Sequence, residues 1–472
     1  MDTPDDTDSL FRAALAAHRA GNLEEAVRGY HAVLGGDPDH AGANNNLGAL
    51  LNDAGETEAA IGHFEKALAT RPDLGETRYV LALAQRQMGR PAEAARSFHL
   101  AAELAPADSR PWCGLAALAL SAHDYREAGA LAEQALARNG EDANAWSLLG
   151  ITYKEQGQFD DAHVAYDRAL SINPDHAEAR YNRGALRLLL GDMPDGWADY
   201  GWRWHGRTTP GDNLGLPRWD GTVGEGLRLV LVGEQGFGDT IQCLRFLPGL
   251  HAQGLTLSIV CRPELHRLVA ALPAVTSVTA PGNTVPDADA YLPMMDLPGL
   301  LQTDETSIPG ADGYLTIAAP PANPDAIGLA WAGSPTHKND ANRSIPLTLL
   351  KPLIANSTRR FVSLQMDARG DDIKALDLAG RIEDRHAEVT DFTDTAGIIA
   401  GLDLVITVDT AVAHLAGAMG KPVWLLIPFV PDWRWQLERP DSPWYTSARL
   451  FRQPAPGDWP AVIDAVRDAL GG

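Results

Sequence analysis

The sequence predicts an α + α/β chain: an all-α repeat superhelix followed by a compact α/β region of two Rossmann-like halves. Two observations carry this prediction. Alanines recur every 34 residues through the first part, at Ala26, Ala60, Ala94, Ala128 and Ala162. From Leu227 onward, short apolar runs alternate with helical segments, which is the pattern of parallel sheets with crossover helices. A third observation points to function, because the turns after several of these runs concentrate Gly, Asp, Thr, Lys and Arg.

The repeats have a consistent internal grammar. Aromatics follow four of the alanines, as Tyr30, Phe64, Phe98 and Tyr166. Gly21, Gly55, Gly89 and Gly157 mark the turn inside a unit, with His123 in the fourth. Pro38, Pro72, Pro106 and Pro174 close the units, with Gly140 as the exception. The small Ala lets two helices approach, the aromatic fills the space between units, and the Pro ends the second helix. This pattern resembles the tetratricopeptide repeat, a 34-residue helix–turn–helix. Five units are expected at 7–40, 41–74, 75–108, 109–142 and 143–176, with a degenerate capping unit from 177 to about 206. Residues 1–206 then form the array. Such a groove suits a protein partner or serves as a scaffold. Asn44, Asn45 and Asn46 fall on the first helix of the second unit, either as a clamp on a bound peptide backbone or as ordinary polar surface.

Beyond Gly191 the repeat loses register in Gly196-Trp-Ala-Asp-Tyr-Gly-Trp-Arg-Trp204, whose indoles need an apolar surface to bury against. This reads as a seam. Residues 207–226, rich in Gly, read as a linker. Strands are expected at Leu227–Val232, Leu255–Cys261, Val275–Thr279 and Ala288–Leu292 in a half spanning 227–322. A second half, 323–472, has strands at Ala326–Trp331, Arg360–Gln365, Leu404–Val408 and Val423–Ile427. Ligands of such sheets bind beyond the carboxyl ends of the strands.

Three segments lie at those ends. Gly233-Glu-Gln-Gly236-Phe-Gly238-Asp239 follows the first strand but is neither a dinucleotide fingerprint nor a P-loop. It is a turn that approaches a ligand closely, and Asp239 is either a helix N-cap or a general base. Asp409-Thr410-Ala411-Val-Ala-His414 joins a strand to a helix whose free N–H groups suit a diphosphate, while His414 is either a buried core histidine or part of that site. Trp331-Ala-Gly-Ser-Pro-Thr-His-Lys338-Asn-Asp-Ala-Asn-Arg343 supplies two cations, either solvated or set against a leaving phosphate. Gln365 closes a strand at the cleft, within reach of a nucleotide. The aromatics of Pro428–Trp435 either stack on a donor or pack the lobe.

These segments resemble the heptosyltransferase-type glycosyltransferases of GT-B fold. The whole chain is similar to bacterial proteins that join tetratricopeptide repeats to such a domain and, in architecture, to the O-GlcNAc transferases. Gly236-Phe-Gly238-Asp239-Thr-Ile-Gln242 matches the family's G-x-G-D loop, which implies that Asp239 is the base and that Gly236, Gly238 and Gln242 meet substrate. Asp409, Thr410 and His414 match its nucleotide-sugar phosphate motif, with Ala411 where the family often has Gly. Lys338 stands where the family carries a basic residue near the leaving diphosphate. The resemblance implies a nucleotide-sugar co-substrate, no cofactor, no metal and a hydroxyl acceptor. The first half, 96 residues, is shorter than the family's acceptor half. With the array beside it, this implies a protein acceptor, flagellin being a candidate. The alternatives are a lipid or polysaccharide acceptor, or a non-catalytic adaptor with a degenerate domain.

Composition excludes several classes. Asp and Glu outnumber Lys and Arg 62 to 39, for a formal charge of −23, which opposes nucleic-acid and anionic-membrane binding. Cys113, Cys243 and Cys261 offer neither a disulfide framework nor a cysteine zinc site. Asp287-Ala-Asp289 fits a metal-binding D-x-D but opens a strand, so no metal site is expected. Neither a signal peptide nor an apolar span is evident, and a cytoplasmic location is expected.

Overall fold

The computed structural model describes residues 4–224, 226–317, 325–366 and 368–471. The chain divides into two units, Met1–Ala179 and Arg180–Gly472. The expected boundary between the two α/β halves, 322/323, lies outside the described residues.

The first unit is built of helical pairs: α1 (Pro4–Arg19) with α2 (Leu23–Gly36), α3 (Ala41–Asp53) with α4 (Thr57–Thr70), α5 (Gly75–Gln87) with α6 (Pro91–Leu104), α7 (Arg110–Ser121) with α8 (Tyr125–Arg138), and α9 (Ala143–Glu155) with α10 (Phe159–Ile172). The period of 34 has a direct physical cause. Ala26, Ala60, Ala94, Ala128 and Ala162 have no exposed surface; the rings of Phe64 and Tyr166 press on Gly48 and Gly150 of the partner helix, and Phe98 on Gly114 of the next unit. His123 takes the left-handed turn that Gly makes elsewhere, at φ 59°, and its Nδ1 lies 3.0 Å from the Tyr125 hydroxyl.

Helices α11 (Ala177–Leu189) and α12 (Met193–Tyr200) make the degenerate sixth unit, and the division between units falls inside α11. The array therefore ends before the expected 206. Trp197 and Tyr200 are buried in the second unit, Trp197 edge-on to Trp433 (centroids 5.1 Å) and Trp444 (6.2 Å). The linker reading of 207–226 is corrected too. Trp219 is buried, and its N–H donates to the Tyr291 carbonyl (2.8 Å) while the Tyr291 N–H donates to Pro217 (3.0 Å), laying this segment along a sheet edge.

The second unit holds two all-parallel sheets. The first has β1 (Arg228–Val232), β2 (Thr256–Val260), β3 (Val275–Thr279) and β4 (Ala290–Pro293) in the order β3-β2-β1-β4. Its helices are α13 (Phe237–Cys243), α14 (Leu247–Ala252), α15 (His266–Ala270) and α16 (Leu297–Leu300). The second sheet has β5 (Ala326–Ala330), β6 (Arg360–Ser363), β7 (Ile382–Asp384), β8 (Leu404–Val408), β9 (Val423–Ile427) and β10 (Ala448–Arg452) in the order β10-β9-β8-β5-β6-β7. Between and after them lie α17 (Asp340–Arg343), α18 (Leu347–Asn356), α19 (Asp372–Ala375), α20 (Phe392–Ala400), α21 (Ala411–Ala418) and α22 (Trp459–Leu470). The edge strands β7 and β10 were not expected from the sequence, because each carries charged residues where a central strand is apolar. Strand order reverses between β1 and β4 and between β5 and β8. Each reversal opens a crevice at the carboxyl ends of the strands.

Candidate functional site

The three chemistry-bearing segments sit at these two reversals. The turn after β1 carries Asp239, and the turn after β8 carries Asp409 and Thr410. The loop after β5 carries Lys338 and Arg343. Helices α13 and α21 pack on one another, and Gly238 makes this approach possible: a Cβ there would lie 2.5 Å from His414 Cδ2.

Asp239 closes a capping box at the start of α13, with one carboxylate oxygen accepting the Gly236 N–H at 2.6 Å. Its other oxygen accepts from Arg434 Nη2 at 2.5 Å. Gly236 is the N-cap, so Asp239 caps the helix from its third position and not as the N-cap residue expected, and a cation from the facing half holds the same group. Arg434 is the main site residue that sequence reasoning passed over. It is buried, lies 4.1 Å over the Trp433 ring, donates to Asp432 at 2.8 Å, and donates to the Gln242 side-chain oxygen. The available signal was a lone cation between two indoles in Trp433-Arg-Trp435. The aromatics of that loop pack the lobe: Trp433 meets Trp197 and Trp444, and Trp435 lies beside His414.

Behind the Gly236 turn, the Glu234 side chain is fully buried. It accepts from Arg203 (3.0 and 2.5 Å), the Trp204 indole (2.6 Å) and the Met295 N–H (3.2 Å). Arg203 also holds Asp296 at 2.8 Å. Gln235 adopts φ 60°, a left-handed conformation that costs a non-glycine residue energy and is commonly stored at ligand-facing turns. The sixth helical unit thus supports the turn from below.

On the other side, β8 ends at Val408 and the Thr410 hydroxyl caps α21 by accepting the Val412 N–H at 3.3 Å. Helix α21 starts at Ala411. Arg343 crosses from the β5 loop, flat against Gly333, to donate to the Asp409 carbonyl at 3.0 Å. Arg369 braces the same loop through Asp340, Ser344 and the Gly333 carbonyl. Burial and the nearby Asp432 charge push the Asp409 carboxyl above the usual range, against the opposing pull of Arg343 and Arg434. His414 is buried, with its Nδ1 2.8 Å from the Tyr445 hydroxyl. Burial, reinforced by Arg434, Arg245 and Arg343, keeps it neutral. Lys338 is exposed on the β5 loop.

Other expected contacts are spent internally. Gln365 lies past the end of β6, buried, and its amide ties the Trp331 and Ala332 N–H groups (3.2 and 3.1 Å) and the Ala332 carbonyl (3.0 Å), so it acts as a brace and does not reach outward to a nucleotide. Asn44 is wholly buried against Pro38, His40 and His63. Asn45 accepts from Thr77 and donates to Asn46, which in turn donates to the Tyr30 hydroxyl. A peptide would have to break these bonds to be clamped. Asp289 binds Arg228 at the opposite, amino edge of the sheet, and among the described residues no cluster of three or more His, Cys, Asp or Glu is arranged to hold a metal ion. No helix among the described residues is long and apolar enough to cross a membrane.

Several buried donors near these turns have no hydrogen-bond partner: Gln242 Nε2, Arg343 Nε and the Trp331 indole nitrogen. Orphaned donors in excess of acceptors favour an anionic guest.

Comparison with known proteins supports both parts of the chain. Residues 11–74 and 119–181 match the tetratricopeptide repeat. Residues 382–426, from β7 through most of β9, match glycosyltransferase family 9 (heptosyltransferase) and contain the Asp409–His414 turn. Protein FlbA of Caulobacter vibrioides is 25% identical over 501 residues, covering 97% of this chain and 83% of its own. The cytochrome c-type biogenesis protein CycH of Rhizobium meliloti is 38% identical over 102 residues, 21% of this chain and 26% of CycH. Among solved structures, MamA aligns at 21% identity and TM-score 0.34, over 36% of this chain and 94% of MamA. The type IV pilus biogenesis factor PilW aligns at 18% and 0.37, over 41% and 90%. The chain joins tetratricopeptide repeats to an α/β region that carries a glycosyltransferase family 9 segment.

Proposed function

We propose that the chain is a glycosyltransferase of GT-B type that moves a sugar from a nucleotide-sugar donor to a hydroxyl, on a protein recruited by the repeat array. One observation carries this reading. Two strand-to-helix turns, one bearing Asp239 and the other opening α21 within the family 9 segment, stand at the switch points of two parallel sheets joined through Gly238 and His414. In this reading the donor's diphosphate lies at the N-terminus of α21, beside Thr410, where N–H groups and the helix dipole favour negative charge. Arg343 and Lys338 offset the charge that grows on the diphosphate as the sugar–phosphate bond breaks. The acceptor oxygen bonds to the anomeric carbon, and its proton passes to Asp239. The chemistry supplied by these residues is positioning and charge.

A second reading, a non-catalytic adaptor, draws on one observation: both Asp239 oxygens are already engaged. Melting the full chain with UDP, GDP, ADP, CMP and their sugar conjugates separates the two. A ligand at about 100 times its Kd adds ~2.7 kcal/mol. A clear rise with one nucleotide family is the expected result, and no rise with any of them would overturn the donor site and favour the adaptor.

A further inference from the structure

One cation, Arg434, ties the turn of Asp239 to the facing half. Arg434 arrives on the loop after β9, yet its Nη2 holds Asp239 at the start of α13 and its Nε donates to Gln242 on the same helix. Its remaining partners are Asp432, two residues away in its own loop, and the Met295 sulfur at 3.9 Å. The other Asp239 oxygen is committed to the Gly236 N–H. As the structure stands, a proton arriving at Asp239 must share an oxygen either with Arg434 or with the Gly236 N–H.

The surroundings of Arg434 also suit a second anion. The Gln242 Nε2 beside it is buried without a partner, as is Arg343 Nε on the loop that reaches Asp409. The Arg434 charge acts on both Asp409 and His414 at the α21 turn, as well as on groups around Asp239. A guanidinium has five donors and can re-pair without losing its charge. It therefore has two claimants: the carboxylate it holds and any diphosphate at α21.

We propose that Arg434 is a shared positioning residue: a nucleoside diphosphate at α21 draws the guanidinium from Asp239 and frees that carboxylate to take the acceptor's proton. The proposal rests on the donor site described above. Arg434 stays protonated throughout, and the only proton that moves is the acceptor's. A cross-cleft pin with no exchange would have the opposite consequence, since removing one of its partners loosens the site.

Calorimetric titration of the full chain with UDP, GDP, ADP and inorganic pyrophosphate tests this. If Arg434 is shared, Asp239→Asn removes the competitor and keeps the helix cap. At least one probe should then bind about fivefold tighter or more, the lower range of coupling between linked sites. The double variant Asp239→Asn/Arg434→Lys should lose most of that gain. If that variant does not fold, Asp239→Asn alone decides. Unchanged or weaker binding by Asp239→Asn, where the unsubstituted chain binds a probe, overturns the sharing and leaves the donor site standing. Binding seen only in Asp239→Asn supports the sharing strongly. No binding by either chain overturns the donor site and, with it, this proposal.

Discussion

Asp239 and Asp409 occupy comparable places on two facing sheets, each in a turn from a parallel strand into a helix, yet their neighbours treat them in opposite ways. Asp239 sits inside the first turn of α13, engaged by a backbone N–H and by a guanidinium from across the cleft. Asp409 precedes the cap of α21, with a second carboxylate, Asp432, acting on it. The first arrangement fixes the orientation of its side chain. The second makes ionisation costly. A strand–turn–helix therefore provides a place for a carboxylate, and its chemistry is decided by what the opposite half brings to it.

The largest expected effect breaks the first turn. Asp239→Ala should lower transfer by about 10²- to 10⁴-fold, the usual worth of a positioned base, while losing the cap costs about 1 kcal/mol of stability and leaving buried Arg434 without this carboxylate adds to that. Radiolabelled sugar transfer and a melting curve on the same sample read both, and near-normal turnover would remove Asp239 from the chemistry. A smaller effect sharpens the contact between the turns. Gly238→Ala drives a methyl into the His414 ring, so destabilisation toward the upper end of ~1–3 kcal/mol is expected. Gly236→Ala is the control, because its Cβ would meet only the Asp239 carboxylate, at 3.0 Å. Equal melting temperatures for the two variants would mean that α13 and α21 are not pressed together.

How much of this was legible depends on how far apart the interacting residues lie in sequence. The array was readable because one close helix contact repeats every 34 residues, and a single substitution at His123 left the pattern intact. The positions of the turns were readable because Gly, Asp and Thr mark the ends of apolar strands. The pairing of Asp239 with Arg434 was not readable, since 195 residues separate them and only the docking of the two halves joins them. Gln365 and Asn44 show another limit. An amide can satisfy a ligand or the backbone behind it with the same groups, and nothing in the local sequence says which way it turns. Burial decides that, and both side chains turn inward. The tryptophans near Trp197 announced a need for cover, but their partners Trp433 and Trp444 lie more than two hundred residues later.

The smallest effect belongs to the second turn and to pH. The Asp409 carboxyl is pushed up to about 6, against an ordinary value of about 3.9. Between those values the folded protein holds a proton that the unfolded chain has released, so stability falls as pH rises through this window and levels off above it. Asp409→Asn cannot ionise and escapes that loss. Relative to the unsubstituted chain, the variant should gain about 2 kcal/mol between pH 4 and pH 7, and urea unfolding at half-unit steps would trace the difference. If instead the two curves run parallel, Asp409 ionises as an ordinary surface carboxylate and the contrast between the two turns fails. Should the variant lose ground as pH rises, the charged form is the stabilised one, and the guanidiniums of Arg343 and Arg434 outweigh burial at this turn.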